Sequence, residues 1–355
     1  MSHRGINQSD PIHLQRWRPA LAHFLPPEDS VHQIRTAGGG LSGAIVLRVE
    51  ADSGIYALRG WSVGSIQVER IVELHWFVNH LSKHGVPVAV PRIALSKPST
   101  LIESGGQLWQ LEPWLPGQAS ASQDGNVAAI NSAMQTIAKM HLAAEGYRST
   151  RKGSEWFAVR VGSVPAVTER IQIMDRWDRH EVESYVRLLN SAKERFRQLG
   201  QAILGHYEQF RELIRSELLT LQGTLHQLFP CWRDLRREHL LFTDDVVTGI
   251  IDPAATRTDH PGTDLSRLLG SLYGDDRSKW EFALRDYSQV RPLTEIDRQL
   301  VRALDRSSVL LSGLTWLERW QAGAISSDLM DDVIARMEII EGRMRQLALP
   351  RFESE

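Results

Sequence analysis

Two aspartates 18 residues apart carry the clearest chemistry in this chain. Asp234 lies in Arg233-Asp234-Leu235-Arg236-Arg237-Glu238-His239-Leu240-Leu241-Phe242, a short loop that runs into an apolar strand. Asp252 closes Thr248-Gly249-Ile250-Ile251-Asp252-Pro253, the end of a second apolar strand. Phosphoryl transfer needs two carboxylates in such places. One orients the attacking hydroxyl and takes its proton, and the other holds a divalent ion on the nucleotide phosphates.

The elements around this pair must position it. Gly38-Gly39-Gly40-Leu41-Ser42-Gly43 fits G-x-G-x-x-G. It is followed by the β-type segment 44–49 and not by a helix, which argues against dinucleotide binding. A glycine loop folded over ATP phosphates fits the context, with a plain flexible turn as the alternative. No G-K-[ST] follows, so a P-loop is excluded. Segments 44–49 and 55–59, joined by Asp52-Ser53-Gly54, read as a β-hairpin. Ile66, Ile71, Leu74, Phe77, Val78 and Leu81 predict a helix over 66–84 that stops at Gly85. Residues 86–91 read as extended and 108–114 as a strand. Beyond about residue 120 the spacing predicts helices over 126–143, 181–222, 295–322 and 327–347. The one β interruption expected there is Leu240–Ile251, which holds both aspartates.

This block resembles the catalytic and metal-binding loops of the protein-kinase-like fold. It is most similar to the aminoglycoside phosphotransferase (phosphotransferase enzyme) family, with the pattern H-G-D-L-H-x-x-N-L-L-F. The resemblance covers about residues 34–145 and 225–275. It implies an α+β, bilobal fold with a small β-rich N-lobe (34–117) and a larger, mainly helical C-lobe (118–355). Residues 1–33 would be an N-terminal extension and 146–224 a substrate subdomain. It implies Asp234 as the catalytic carboxylate, Arg236 as the cation that neutralises the transferring phosphate, and Asp252 as the metal ligand. Gly38, Gly40, Ser42, Gly43 and Arg59 would hold nucleotide phosphates. Glu73 would pair with Arg59, with Glu69 as a second choice. Backbone groups of Glu112, Pro113 and Trp114 would face the adenine edge. Asp264 is expected to cap a helix and His141 to be structural.

The chain departs from the pattern at two places. Trp232 replaces the first His, and His239 replaces the metal-binding Asn. Imidazole suits Mn²⁺ or Zn²⁺ better than Mg²⁺. A loop-ordering hydrogen bond is the other reading of His239.

A chain of 355 residues with 42% hydrophobic and 24% charged residues has the composition of a globular protein. A net charge of -2 offers no electrostatic case for nucleic acid or an anionic membrane. A single cysteine, Cys231, excludes an internal disulfide framework. No apolar signal core or membrane-length run is present, so a cytoplasmic location is expected. The expected activity is ATP-dependent transfer of phosphate to a hydroxyl of a small molecule, with Mg²⁺ or Mn²⁺ as the ion. The alternative is a nucleotide-binding pseudokinase with a regulatory or scaffold role, which Trp232 and His239 favour. A Ser/Thr protein kinase is disfavoured, because no A-P-E-like motif or long activation segment follows Asp252.

Overall fold

The computed structural model describes residues 17–37, 44–119 and 126–347. The chain divides into two compact units, Met1–Ala158 with Glu238–Ala254, and Val159–Arg237 with Ala255–Glu355. After helical residues 17–21, the first unit continues with β1 (Val31–Thr36), β2 (Ile45–Ala51), β3 (Gly54–Ser62), α1 (Val68–Lys83), β4 (Ile102–Ser104) and β5 (Gln107–Pro113). Then follow β6 (Gln118–Ala119), α2 (Val127–Glu145) and α3 (Ser154–Phe157). The second unit begins with β7 (Arg160–Gly162), α4 (Pro165–Arg176), α5 (Arg179–Leu188), α6 (Glu194–Gln222) and β8 (His226–Cys231). The chain returns to the first unit for β9 (Leu240–Thr243) and β10 (Val246–Ile250). It ends in the second with β11 (Arg257–Asp259), α7 (Gly262–Tyr273), α8 (Arg277–Ser288), α9 (Glu295–Gln321) and α10 (Met330–Gln346).

In the first unit a five-stranded antiparallel sheet runs in the order β1-β2-β3-β5-β4. Leu47, Val49 and Ala51 alternate inward on β2, and Tyr56 and Leu58 do so on β3, as the two-residue period of a strand requires. They pack with Trp109, Leu111 and the preceding Trp17, Leu21 and Phe24. Gly54 turns the hairpin at a φ of 143°, which only glycine adopts without strain. On α1, Ile71, Leu74, Phe77, Val78 and Leu81 are buried as the helical spacing predicts. A second sheet, β10-β9-β6, holds the 240–250 hairpin, and α2 packs on α1 and on β10. That packing is why α2 and the hairpin sort with the first unit, whereas the sequence placed the lobe boundary at 117/118.

The second unit is built on α6, α9 and α10 around a core that includes Trp177, Tyr207, Ile214, Leu304, Leu314 and Met337. A small sheet, β11-β8-β7, lies in the same unit. The single helix expected over 181–222 is two helices, interrupted by the 3₁₀ turn Leu189–Ser191. No helix among the described residues is long and apolar enough to cross a membrane.

Candidate active site

The loop after β8 is fixed by one buried carboxylate. Trp232 and Arg233 donate their backbone N–H groups to Asp264, to Oδ2 at 2.8 Å and Oδ1 at 2.5 Å. Asp264 is fully buried in the first turn of α7, and Pro261 takes the N-cap position. The expected capping role of Asp264 is therefore corrected: it holds the loop, not its own helix end. Charge-assisted bonds to two backbone donors are strong, and so set the loop firmly.

Arg233 sits in the left-handed region, at a φ of 65°. Its guanidinium is held by Glu169 at 2.5 Å and Asp259 at 3.0 Å. Burial pushes the Asp259 carboxyl up to about 6, against the pull of Arg233 and of the His260 and Ala166 N–H groups. Asp234, the next residue, keeps a side chain 38% exposed. Its Oδ1 accepts from Arg267 Nε at 2.9 Å and lies 3.6 Å from Arg236 Nε. Arg267 was not singled out from the sequence. A signal exists, because Arg267 is three residues after Asp264 and so shares its helix face. Trp232, in place of the family's His, is buried and packs as core.

In the first unit the β9–β10 pairing brings together His239 and Asp252. Ile251 N–H donates to the His239 carbonyl at 3.0 Å, and Ile250 N–H to that of Pro87 at 2.7 Å. Asp252 follows with a φ of 60° and a side chain 45% exposed. His239 is buried, and its Nε2 lies 3.8 Å from Asp252 Oδ2. Two atoms at that separation can both reach one ion at metal–ligand distances of roughly 2.1 Å. The carboxylate and imidazole therefore fit a divalent cation. Arg70 of α1 donates to the Ala254 carbonyl at 2.8 Å and ties down the segment after Asp252.

The ion pair expected between Arg59 and Glu73 is not formed. Arg59 Nε donates to Glu112 Oε1 at 2.8 Å. Glu112, first, and Asp252 more weakly make the guanidinium more basic than usual. Glu73 is buried and taken by other donors: Tyr147 Oη at 2.7 Å, Thr150 N at 3.1 Å and Thr150 Oγ1 at 2.6 Å. Gly153 is needed beside it, since a Cβ there would come within 2.0 Å of the Glu73 side chain. The physical reason for the correction is register. Arg59 pairs with Gln110 across β3 and β5, which sets Glu112 two residues along on the same face.

Glu112 is backed by a buried polar chain. Gln110 Nε2 donates to Glu112 Oε2 at 2.7 Å, and Gln110 Oε1 lies 2.7 Å from His75 Nε2. His75 Nδ1 is 2.6 Å from Thr100 Oγ1. With Gln110 Oε1 an acceptor, His75 carries its proton on Nε2. Burial pulls His75 down to about 4 from the ordinary value near 6.5, so the ring is neutral at pH 7. Glu112 was expected to serve through its backbone, and it is the side chain that is engaged. The Trp114 N–H donates to the Ile55 carbonyl at 2.9 Å, so the sheet uses it. The Trp114 ring lies 5.5 Å from the Arg48 guanidinium. Gly38, Gly40, Ser42 and Gly43 lie outside the described residues.

The model of the phosphotransferase enzyme family matches residues 33–304. Comparison with curated proteins gives no significant match. Among solved structures, an aminoglycoside phosphotransferase from Alicyclobacillus acidocaldarius subsp. acidocaldarius DSM 446 is similar at 13% identity and a TM-score of 0.66, over 97% of this chain and 96% of that one. An amicoumacin kinase in complex with AMP-PNP, Ca²⁺ and Ami is similar at 14% identity and a TM-score of 0.63, over 96% and 98%. A microcompartment-associated aminopropanol kinase gives the same identity, TM-score and coverage. At these identities the likeness shows a shared fold.

Proposed function

Because the chain belongs to the phosphotransferase enzyme family, we propose that it moves the γ-phosphate of ATP to a hydroxyl of a small molecule. One observation carries the reading most. Three non-glycine residues among those described have a positive φ, and two of them mark the two aspartates: Asp252 itself and Arg233 before Asp234. The third, Asp244, only turns the β9–β10 hairpin. Such backbone strain costs about 1–3 kcal/mol, persists only where the surrounding structure over-determines it, and clusters at active sites.

In this reading Asp234 orients the acceptor hydroxyl and accepts its proton, and Arg236 stands by the transferring phosphate. Asp252 and His239 hold the divalent ion, and Arg59 and the 38–43 loop hold nucleotide phosphates. A bound Mg²⁺ or Mn²⁺ supplies charge neutralisation on those phosphates. The protein's share is positioning and fixed charge, with no covalent intermediate. The site of action is the cytoplasm.

Thermal shift with ATP plus Mg²⁺ or Mn²⁺, followed by an ATP-consumption screen over hydroxyl compounds, tests the reading. Asp252→Ala should remove the metal-dependent shift, and His239→Asn should move the preference from Mn²⁺ toward Mg²⁺. Asp234→Asn should lower kcat by about 10²–10⁴ with little change in ATP binding. An Asp252→Ala variant that binds ATP and metal like the parent removes the metal assignment. A nucleotide-binding module without turnover is the second reading. The capture of Glu73 by Tyr147 and Thr150 favours it, because Arg59 then lacks the helix-borne partner of the family pattern. ATP binding with no turnover on any acceptor would select it.

A further inference from the structure

Arg267 and Arg236 flank Asp234, and the arginines of this region are unequally paired. Glu169 holds both Arg233 and Arg257, at 2.5 Å and 2.7 Å. Arg233 also reaches Asp259, and Asp264 is used by backbone N–H groups. Arg170 is buried within the field of Asp259 and Glu169 as well as of Arg233 and Arg267, and donates to Ser308 Oγ at 2.9 Å. Arg267 differs from the others. Among the described residues its hydrogen-bond partner is Asp234, the group that the proposed reaction needs, and its side chain is 41% exposed.

This arrangement constrains the acceptor. A hydroxyl can take Asp234 without displacing Arg267, whose Nε uses one of the two carboxylate oxygens. Arg267 spends its Nε on Asp234 and is 41% exposed, so the rest of its guanidinium fork can take an oxyanion carried by the acceptor. A cationic acceptor would meet Arg267 and Arg236 and gain no such contact. We propose that the acceptor is a hydroxyl compound bearing a carboxylate or phosphate, and that Arg267 receives that oxyanion while Asp234 beside it takes the hydroxyl. This rests on the phosphotransferase reading of Asp234, and it deepens it by naming the substrate class.

A matched set of sugars tests it: gluconate, glucose 6-phosphate, glucose and glucosamine. They offer similar hydroxyls with a carboxylate, a phosphate, no charge or a cation. Binding is read by calorimetry at low salt, with ATP–metal binding measured separately, and turnover by ATP consumption. The acidic members should bind at least tenfold more tightly than glucose, and glucosamine more weakly. Arg267→Gln should abolish that tenfold preference, and Arg267→Lys should keep part of it. Arg302→Gln, at a surface arginine paired with Glu281, should leave it intact. Stronger gluconate than glucose 6-phosphate binding identifies a carboxylate acceptor, and the reverse a phosphate ester. Equal binding of all four, a preference for glucosamine, or an acidic preference that survives Arg267→Gln overturns the proposal. Acidic-sugar binding lost in Arg267→Gln, with ATP bound but never consumed, would keep the oxyanion site and sink the transferase reading instead.

Discussion

Arg59 and Arg267 each donate through Nε to a carboxylate, at 2.8 Å to Glu112 and at 2.9 Å to Asp234. The geometry is alike and the setting is not. The Arg59 and Glu112 side chains are 19% and 8% exposed, and those of Arg267 and Asp234 are 41% and 38% exposed. Behind Glu112 stand Gln110, His75 and Thr100, which use up its second oxygen and each other's polar groups. Asp234 is instead shared between two guanidiniums at the surface of its unit. A buried pair with a satisfied network is costly to break and does not exchange. A half-exposed pair is screened by water and can trade partners. The same two residue types thus make a buried, networked pair in one unit and a solvated pair in the other.

The comparison breaks most readily at Glu112. Glu112→Ala leaves the Arg59 charge and the Gln110 amide without their partner in a buried place. It should lower unfolding stability by about 3–5 kcal/mol in urea titration. A loss below about 1 kcal/mol would mean that the pair is as exchangeable as the one at Asp234.

Acid should loosen the same network. His75 is neutral in the fold, with its value held down to about 4, while the unfolded chain protonates it near 6.5. Its contribution is therefore complete above pH 6.5 and is lost as pH falls from there through 4. The shift corresponds to roughly 3 kcal/mol. Stability measured at pH 7 and pH 4.5 in the parent and in His75→Gln should show a smaller acid loss in the variant. Parallel pH profiles would remove His75 from the account.

Arg267→Ala should be the mildest change, costing under about 1 kcal/mol of stability because its pair is solvated. A cost above 2 kcal/mol would make that pair a structural one and erase the contrast with Arg59.

Much of this was legible along the chain. The 3.6-residue spacing placed α1 at 66–84 against an observed Val68–Lys83, and α9 at 295–322 against Glu295–Gln321. Periodicity failed where it was interrupted or short. Leu189-Asn190-Ser191 continues an apolar pattern, yet forms a 3₁₀ turn that splits α5 from α6. β8 was missed because His226-Gln227-Leu228-Phe229-Pro230-Cys231 carries a proline, which argues against a central strand; it is nevertheless the middle strand of its sheet. β1 was missed because Val31–Thr36 has no buried residue to mark a face.

The amino-acid sequence by itself determined which carboxylates stand at the strand ends, because loop and strand are local matters of spacing and apolar runs. It also determined the departures at Trp232 and His239, which are matters of identity. Only the tertiary structure decided who pairs with whom. Glu112 rather than Glu73 holds Arg59, Asp264 holds the loop before Asp234, and Arg267 rather than Arg236 makes the short bond to Asp234. Electrostatic and hydrogen-bonded pairing depends on distances of a few ångströms between segments far apart along the chain, and those distances exist only once sheet register and helix packing are set.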